Sequence, residues 1–123
     1  MADFERRIAR KVAVGQIEID ARLDLHGMTQ GAAQRRLRAF LRSAHSDGCR
    51  IVLVITGKGR DTTSEPDTFA EHMEQRERGV LKRSVPIWLE DPDMRAIVVS
   101  YTTASQHHGG AGAIYIRLRR RTV

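Results

Sequence analysis

Apolar positions recur along this chain in two periods, and the changes from one period to the other mark its elements. Phe4, Ile8 and Val12 stand at i, i+4 and i+8 among Arg6, Arg7, Arg10 and Lys11, which predicts a short basic helix or arm over residues 3–14. Ile17, Ile19, Leu23 and Leu25 then share one parity and predict a strand over residues 17–25, interrupted at Asp20-Ala21-Arg22. Asp24 and His26 take the opposite parity, so their side chains are expected on one face. Thr29 is a good N-cap for a helix over residues 30–45. Ala33, Leu37, Phe40, Leu41 and Ala44 form its core-facing stripe, and Arg35, Arg38 and Arg42 form a second stripe expected to face solvent. Asp47-Gly48 should end that helix. The run Ile51-Val52-Leu53-Val54-Ile55 predicts a strand buried on both faces, which completes a strand–helix–strand unit.

The second half is less regular. Residues 60–79 are polar and contain Pro66, which predicts a long loop with at most a transient helical turn over residues 71–78. Leu81, Val85, Trp88 and Leu89 return to helical spacing, with Pro86 expected to kink that helix or mark its first turn. Asp91-Pro92-Asp93 should close it. Residues 96–101 and 114–118 predict two more strands. The pattern divides the chain into a basic N-terminal arm or helix, residues 1–16, and one α/β domain, residues 17–123.

Charge and composition change this picture in one respect. A formal net charge of +6 over 123 residues and a pI near 10.4 favour polyanions, with nucleic acid as the leading class of partner. The single cysteine, Cys49, excludes an intrachain disulfide and makes a reducing, cytosolic setting the default expectation. No apolar run approaches the roughly 18–20 residues needed to span a bilayer, and no apolar segment follows the charged first residues as in a signal peptide. Neither a membrane nor an obligate oligomer is therefore expected.

Three glycine-marked stretches carry the candidate chemistry, and each borders a predicted strand, as the ligand-binding edge of an open α/β sheet requires. In Asp24-Leu25-His26-Gly27 an aspartate two residues before a histidine can orient the imidazole, whose ordinary pKa of about 6.5 suits proton transfer near neutrality. In Thr56-Gly57-Lys58-Gly59 the glycines let backbone approach an anion and Lys58 adds a cation. This is not a Walker A loop, because Val52 and Gly59 occupy positions that need glycine and Ser/Thr. The third stretch, His107-His108-Gly109-Gly110-Ala111-Gly112, offers imidazoles beside further glycines for close approach to phosphate. A zinc site from His26, Cys49, His107 and His108 matches no standard spacing, and no carboxylate cluster of the two-metal type is visible, so no cofactor is expected. Near the C-terminus Arg117, Arg119 and Arg121 alternate as a basic ribbon suited to phosphate contacts.

The three motifs in this order, with Gly79-Val80-Leu81-Lys82-Arg83-Ser84-Val85-Pro86-Ile87-Trp88-Leu89 between the second and third, resemble the Smr (small MutS-related) domain family over roughly residues 20–120. The resemblance implies a two-layer α/β sandwich, a four-stranded mixed sheet with two helices, similar to the C-terminal domain of translation initiation factor three. It also implies a nucleic-acid endonuclease, cleaving RNA or nicking DNA, with the ribosome as a further partner. The family's Asp-Leu-His signature falls on Asp24, Leu25 and His26. Its His-Gly-x-Gly signature falls on Thr56, Gly57, Lys58 and Gly59, with threonine where a histidine is common.

The expectation is thus a metal-independent endonuclease. His26 would be general base or acid, activating a ribose 2′-hydroxyl or a water, and Asp24 would orient it. Lys58 with the backbone of Gly57, Gly59 and Gly110 would steady the phosphate. Thr56, His108, Gly109, Gly112, Arg35, Arg38, Arg117 and Arg119 complete the candidate substrate contacts. The alternative is a nucleic-acid- or ribosome-binding module without chemistry, which Thr56 favours because a hydroxyl is no base near neutral pH.

Overall fold

The computed structural model describes residues 2–57 and 69–121. Four strands form one mixed sheet in the order β1-β2-β4-β3, from β1 (Ala21–Asp24), β2 (Ile51–Ile55), β3 (Val98–Thr103) and β4 (Ala113–Leu118). β1 and β2 are parallel, and β4 runs antiparallel to both β2 and β3. The α1 helix (Ala2–Ala13) precedes the sheet. The α2 helix (Gln30–Ser46) links β1 to β2, and α3 (Phe69–Leu89) with the short α4 (Pro92–Arg95) lies between β2 and β3.

The pleat sorts the strand residues into two cores. Leu23, Leu25, Val52, Val54, Ile114, Ile116 and Leu118 face α2 and α3, where Ala33, Leu37, Leu41, Leu81, Val85 and Leu89 meet them. Ile51, Leu53, Ala113 and Tyr115 face the other way, and Val12 of α1 covers part of that second face with Ile8 and Ala9. The two-layer sandwich of α2 and α3 on the sheet is therefore as expected, with the N-terminal helix packed on the opposite side. Thr29 caps α2 through its side-chain oxygen, which accepts from the Ala32 N–H at 3.3 Å. Gln30 at the start of α2 donates to the Ser84 hydroxyl at 3.1 Å and ties the two helices together.

Several expectations needed correction. Only residues 21–24 form the first strand, and Ile17 and Ile19 pack on the second face rather than with Leu23 and Leu25. Asp20 lies at the junction, where its N–H donates to the Ile51 carbonyl (2.7 Å) and its carboxylate accepts from the backbone N–H groups of Arg50 (2.7 Å) and Ile51 (3.1 Å). The polar stretch expected to be loop up to residue 79 is helical from Phe69 onward, continuous with the segment containing Leu81. Pro86 lies inside this helix, one turn from its end, and does not terminate it. Proline removes one N–H, and the core contacts of Val85, Trp88 and Leu89 hold the last turn regardless. Asp91-Pro92-Asp93 opens α4, with Asp91 at the N-cap position and proline directly after it. Arg38 and Arg42 do not simply face solvent: Arg38 pairs with Asp91 and Asp93, and Arg42 with Asp93 at 3.1 Å.

Candidate functional site

The registers bring the three glycine turns to one end of the sheet. Asp24 is opposite Ile55, Ile55 is opposite Ala113, and Thr103 is opposite Ile114. The first turn leaves β1 there, the second leaves β2, and the third enters β4. Backbone hydrogen bonds knit the turns together: the Gly112 carbonyl accepts from the N–H groups of Thr56 (2.8 Å) and Gly57 (3.1 Å), and Ile55 accepts from Leu25 (2.7 Å).

At the first turn the Asp24 carboxylate oxygen Oδ1 lies 2.6 Å from His26 Nδ1 and 3.0 Å from the His26 backbone N–H. Both side chains are about half exposed, 50% for Asp24 and 56% for His26. Gly27 follows with φ of +79°, a left-handed conformation that lets the chain turn at once into α2. Desolvation by itself would raise the Asp24 pKa. The hydrogen bonds from the His26 ring and backbone and the His26 charge outweigh it, leaving the carboxyl below its ordinary value. An ionised carboxylate can only accept, so Nδ1 carries a proton and Nε2 is the atom left for exchange with a substrate.

In the second turn the described residues, Thr56 and Gly57, are hydrogen-bonded to the third turn. Thr56 is fully buried, and its hydroxyl lies 3.3 Å from the Gly112 carbonyl and 3.2 Å from that of Gly57. Its contact with Gly112 joins the second turn to the third. Lys58 and Gly59 lie outside the described residues. Thr56→Val, which keeps the shape and removes the hydroxyl, is expected to destabilise the domain by about 1 kcal/mol in chemical denaturation.

The third turn joins the antiparallel neighbours β3 and β4 through two short 3₁₀ segments, Gln106–His108 and Gly110–Gly112. Gly109 joins them with φ of +117°, and a Cβ there would approach the Ala113 Cβ to 2.9 Å. The N–H groups of Gly109, Gly110 and Gly112 donate to Gln106, Ser105 and Gly109. With the Gly57 N–H also engaged, these glycines shape the turns and their amides are not free to cradle phosphate. His108 Nδ1 lies 2.5 Å from the Tyr115 hydroxyl, and that hydroxyl donates to Ser105 Oγ at 3.1 Å. His107 stacks at a tilt on His108, ring centroids 4.3 Å apart. Burial, then the charges of His107 and Arg22, push the His108 pKa below its ordinary value.

That direction fixes a measurable outcome. From about pH 6.5 downward the unfolded chain takes up a proton that folded His108 resists. This contribution to stability is complete above that value and is lost as the pH falls through the folded-state pKa. An NMR titration should therefore find His108 titrating below about 6.5.

Three candidate contacts are remote from this edge. Arg117 is opposite Ile51, four residues along β4 from Ala113 and so roughly 13 Å away. Arg119 donates to the Arg95 carbonyl at 3.2 Å beyond the far end of the sheet. Arg38 is held in its carboxylate pairs, about 12 Å along α2 from Gln30. Arg35, by contrast, is exposed within the first two turns of α2. Arg22 was overlooked as part of the interruption at 20–22, yet it lies on the same sheet face as Asp24 and acts electrostatically on His108. Its signal was present in the spacing Arg22, Asp24, His26. Tyr115, opposite Leu53 on the same face, was likewise hidden within an apolar strand. Among the described residues no three His, Cys, Asp or Glu side chains converge to hold a metal ion, and no helix is long and apolar enough to cross a membrane.

The fold that gathers these turns recurs in known proteins. The chain is 33% identical over 117 residues to "Probable DNA endonuclease SmrA" of Escherichia coli, covering 95% of this chain and 54% of that protein. It is 28% identical over 116 residues to "Ribosome rescue factor SmrB" of Tolumonas auensis, covering 94% of this chain and 54% of that protein. It thus spans about half the length of these curated relatives. Among solved structures it resembles YdaL, a stand-alone small MutS-related protein from Escherichia coli, with a TM-score of 0.67 and 32% identity over 90% of this chain and 73% of that one. The Smr domain of Thermus thermophilus MutS2 shares the fold, with a TM-score of 0.60 at 22% identity over 80% of this chain and 98% of that one. The Smr domain model matches residues 23–119, from the strand that carries Asp24 to the end of the strand that carries Tyr115, and the chain belongs to the Smr domain family.

Proposed function

We propose that this domain is a metal-independent endonuclease acting on single-stranded RNA. The observation that carries the reading is the Asp24–His26 pair, joined at 2.6 Å and half exposed at the sheet edge where three glycine turns meet. An imidazole oriented through one nitrogen, on a half-exposed ring, suits proton transfer near neutral pH. Asp24 orients the ring, His26 Nε2 exchanges the proton, and exposed Arg22 on the same face supplies a cation for the phosphate. The relatives named for DNA endonuclease activity and for ribosome rescue support a nucleic-acid substrate. The net charge of +6 supports it as well.

The test is cleavage of end-labelled single-stranded RNA in the presence of EDTA. Attack by the 2′-hydroxyl leaves a 2′,3′-cyclic phosphate on the upstream product and spares a 2′-deoxy linkage. Cleavage that stops on chelation and returns with magnesium would remove the metal-free part of the reading. Affinity for uncleavable RNA should fall with salt, log K dropping by about 0.7 per phosphate contact for each log unit.

A second reading, a docking module without chemistry, is favoured by one observation. Thr56 stands at the position where the family's second signature commonly has histidine, and it is buried. Salt-sensitive RNA binding with no cleavage of free or ribosome-bound RNA would establish that reading instead.

A further inference from the structure

Cleaving a phosphodiester by its neighbouring 2′-hydroxyl moves two protons, one off the attacking oxygen and one onto the leaving oxygen. The first turn supplies a single imidazole. The second supplies none, because Thr56 is buried and occupied with the Gly112 carbonyl. Resting on the nuclease reading above, we infer that His108 is the second catalytic imidazole, taking the 2′-hydroxyl proton while His26 protonates the leaving 5′-oxygen.

The geometry for this is built by β4 and the third turn. Tyr115 projects from the sheet face that also carries Arg22 and Asp24, since Arg22 is opposite Leu53, Leu53 is opposite Tyr115, and Asp24 is two residues from Arg22 on β1. Its hydroxyl accepts from the Ser105 N–H (3.3 Å) and lies 3.1 Å from Ser105 Oγ and 2.5 Å from His108 Nδ1. With Nδ1 taken as the donor to Tyr115 and Ser105 Oγ as the acceptor of the Tyr115 proton, Nε2 is left as the accepting nitrogen. The Tyr115 ring meets His108 edge-on, centroids 5.5 Å apart at 77°, and fixes the imidazole plane. Two strand spacings, roughly 10 Å, separate β1, which leads into His26, from β4, whose Tyr115 holds His108, and the scissile phosphodiester is proposed to lie across that span.

The two rings differ in what surrounds them, and the difference assigns their roles. His26 has a carboxylate on Nδ1, which supplies the counter-charge for a ring protonated on both nitrogens. Among the described residues His108 is paired with no carboxylate; burial, then the neighbouring His107 ring and the Arg22 charge, favour the neutral ring. A neutral acceptor takes a proton and a protonated ring gives one. In the step, the 2′-oxygen loses its proton to His108 Nε2 and bonds to phosphorus. The bond from phosphorus to the 5′-oxygen breaks, and that oxygen receives the proton from His26 Nε2. The products are a 2′,3′-cyclic phosphate and a 5′-hydroxyl, and proton exchange with water restores both rings.

The experiment compares the full chain with His26→Ala and His108→Ala on two RNA substrates. One is unmodified; the other carries sulfur in place of the bridging 5′-oxygen at the cleavage site, a leaving group that needs no protonation. On unmodified RNA each variant should lose about 100-fold or more in kcat. On the thio substrate His26→Ala should recover most of its loss, whereas His108→Ala should remain impaired. Recovery of His108→Ala instead, or unmodified cleavage by it within fivefold of the parent, would overturn the assignment while leaving the nuclease reading intact. No cleavage of either substrate by the parent chain would overturn both. If His108→Ala does not fold, Tyr115→Phe keeps the ring and removes only the hydroxyl that positions His108. It should lower kcat about tenfold with KM unchanged and no thio recovery, and a normal kcat would overturn the proposal.

Discussion

Replacing His26 with alanine is expected to lower RNA cleavage by about 10²–10⁴-fold while RNA affinity changes by less than about threefold. The size of the loss follows from what the ring does, since its Nε2 is the atom presented to substrate while Nδ1 is held by Asp24 at 2.6 Å. The small change in affinity follows from exposure. His26 lies at the surface, and neither strand pairing nor the core depends on it. Asp24→Asn should lose less than His26→Ala, because an amide can still accept at its oxygen but no longer balances an imidazolium. Measuring kcat and KM separately under single-turnover and steady-state conditions checks both points. Equal losses of affinity and rate would mean that His26 binds rather than reacts.

Leu25→Ala is expected to cost about 2–5 kcal/mol of stability and to reduce cleavage as well. Leu25 is fully buried in the core between the sheet and α2. It is also the residue between Asp24 and His26, and its backbone N–H donates to Ile55 at 2.7 Å while its carbonyl accepts from Met28 at 3.0 Å. Truncating the side chain leaves a cavity directly beneath the turn that aligns the dyad. Ile87→Ala is the matched control, because Ile87 is 68% exposed and its loss should stay within about 0.5 kcal/mol. Urea unfolding at constant slope checks the stability, and cleavage below the midpoint checks the coupling. A Leu25→Ala protein as stable as the Ile87→Ala control would show that the turn is not braced by the core.

The elements that could be read in advance are those whose periodicity belongs to a single core. The α2 helix carries one apolar stripe and a threonine cap, and β2 is an unbroken apolar run, so local pattern and tertiary environment agree. Residues 17–25 misled because their parity was continuous while their environments were not. Ile17 and Ile19 pack with α1, Leu23 and Leu25 with α2, and Asp20 between them is hydrogen-bonded to the start of β2. The start of α3 misled for the opposite reason: its polar composition predicts loop, yet the helix continues outward from the packed turn of Leu81 and Val85.

Local pattern supplied the chemical groups of the candidate site and their places along the chain. It named Asp24, His26 and His108, and strand-bordering glycines located the turns that carry them, because backbone geometry and strand parity are local properties. Only the tertiary structure decided which of these groups meet and what each is free to do. It spent the Thr56 hydroxyl and the glycine amides on joining the turns, left Arg117 and Arg119 at the far end of the sheet, and brought Arg22 and Tyr115 onto the same face as Asp24. The physical reason is that hydrogen-bond occupancy and distance depend on strand order and register, and pairs such as Ile55 with Ala113 join residues far apart in the chain.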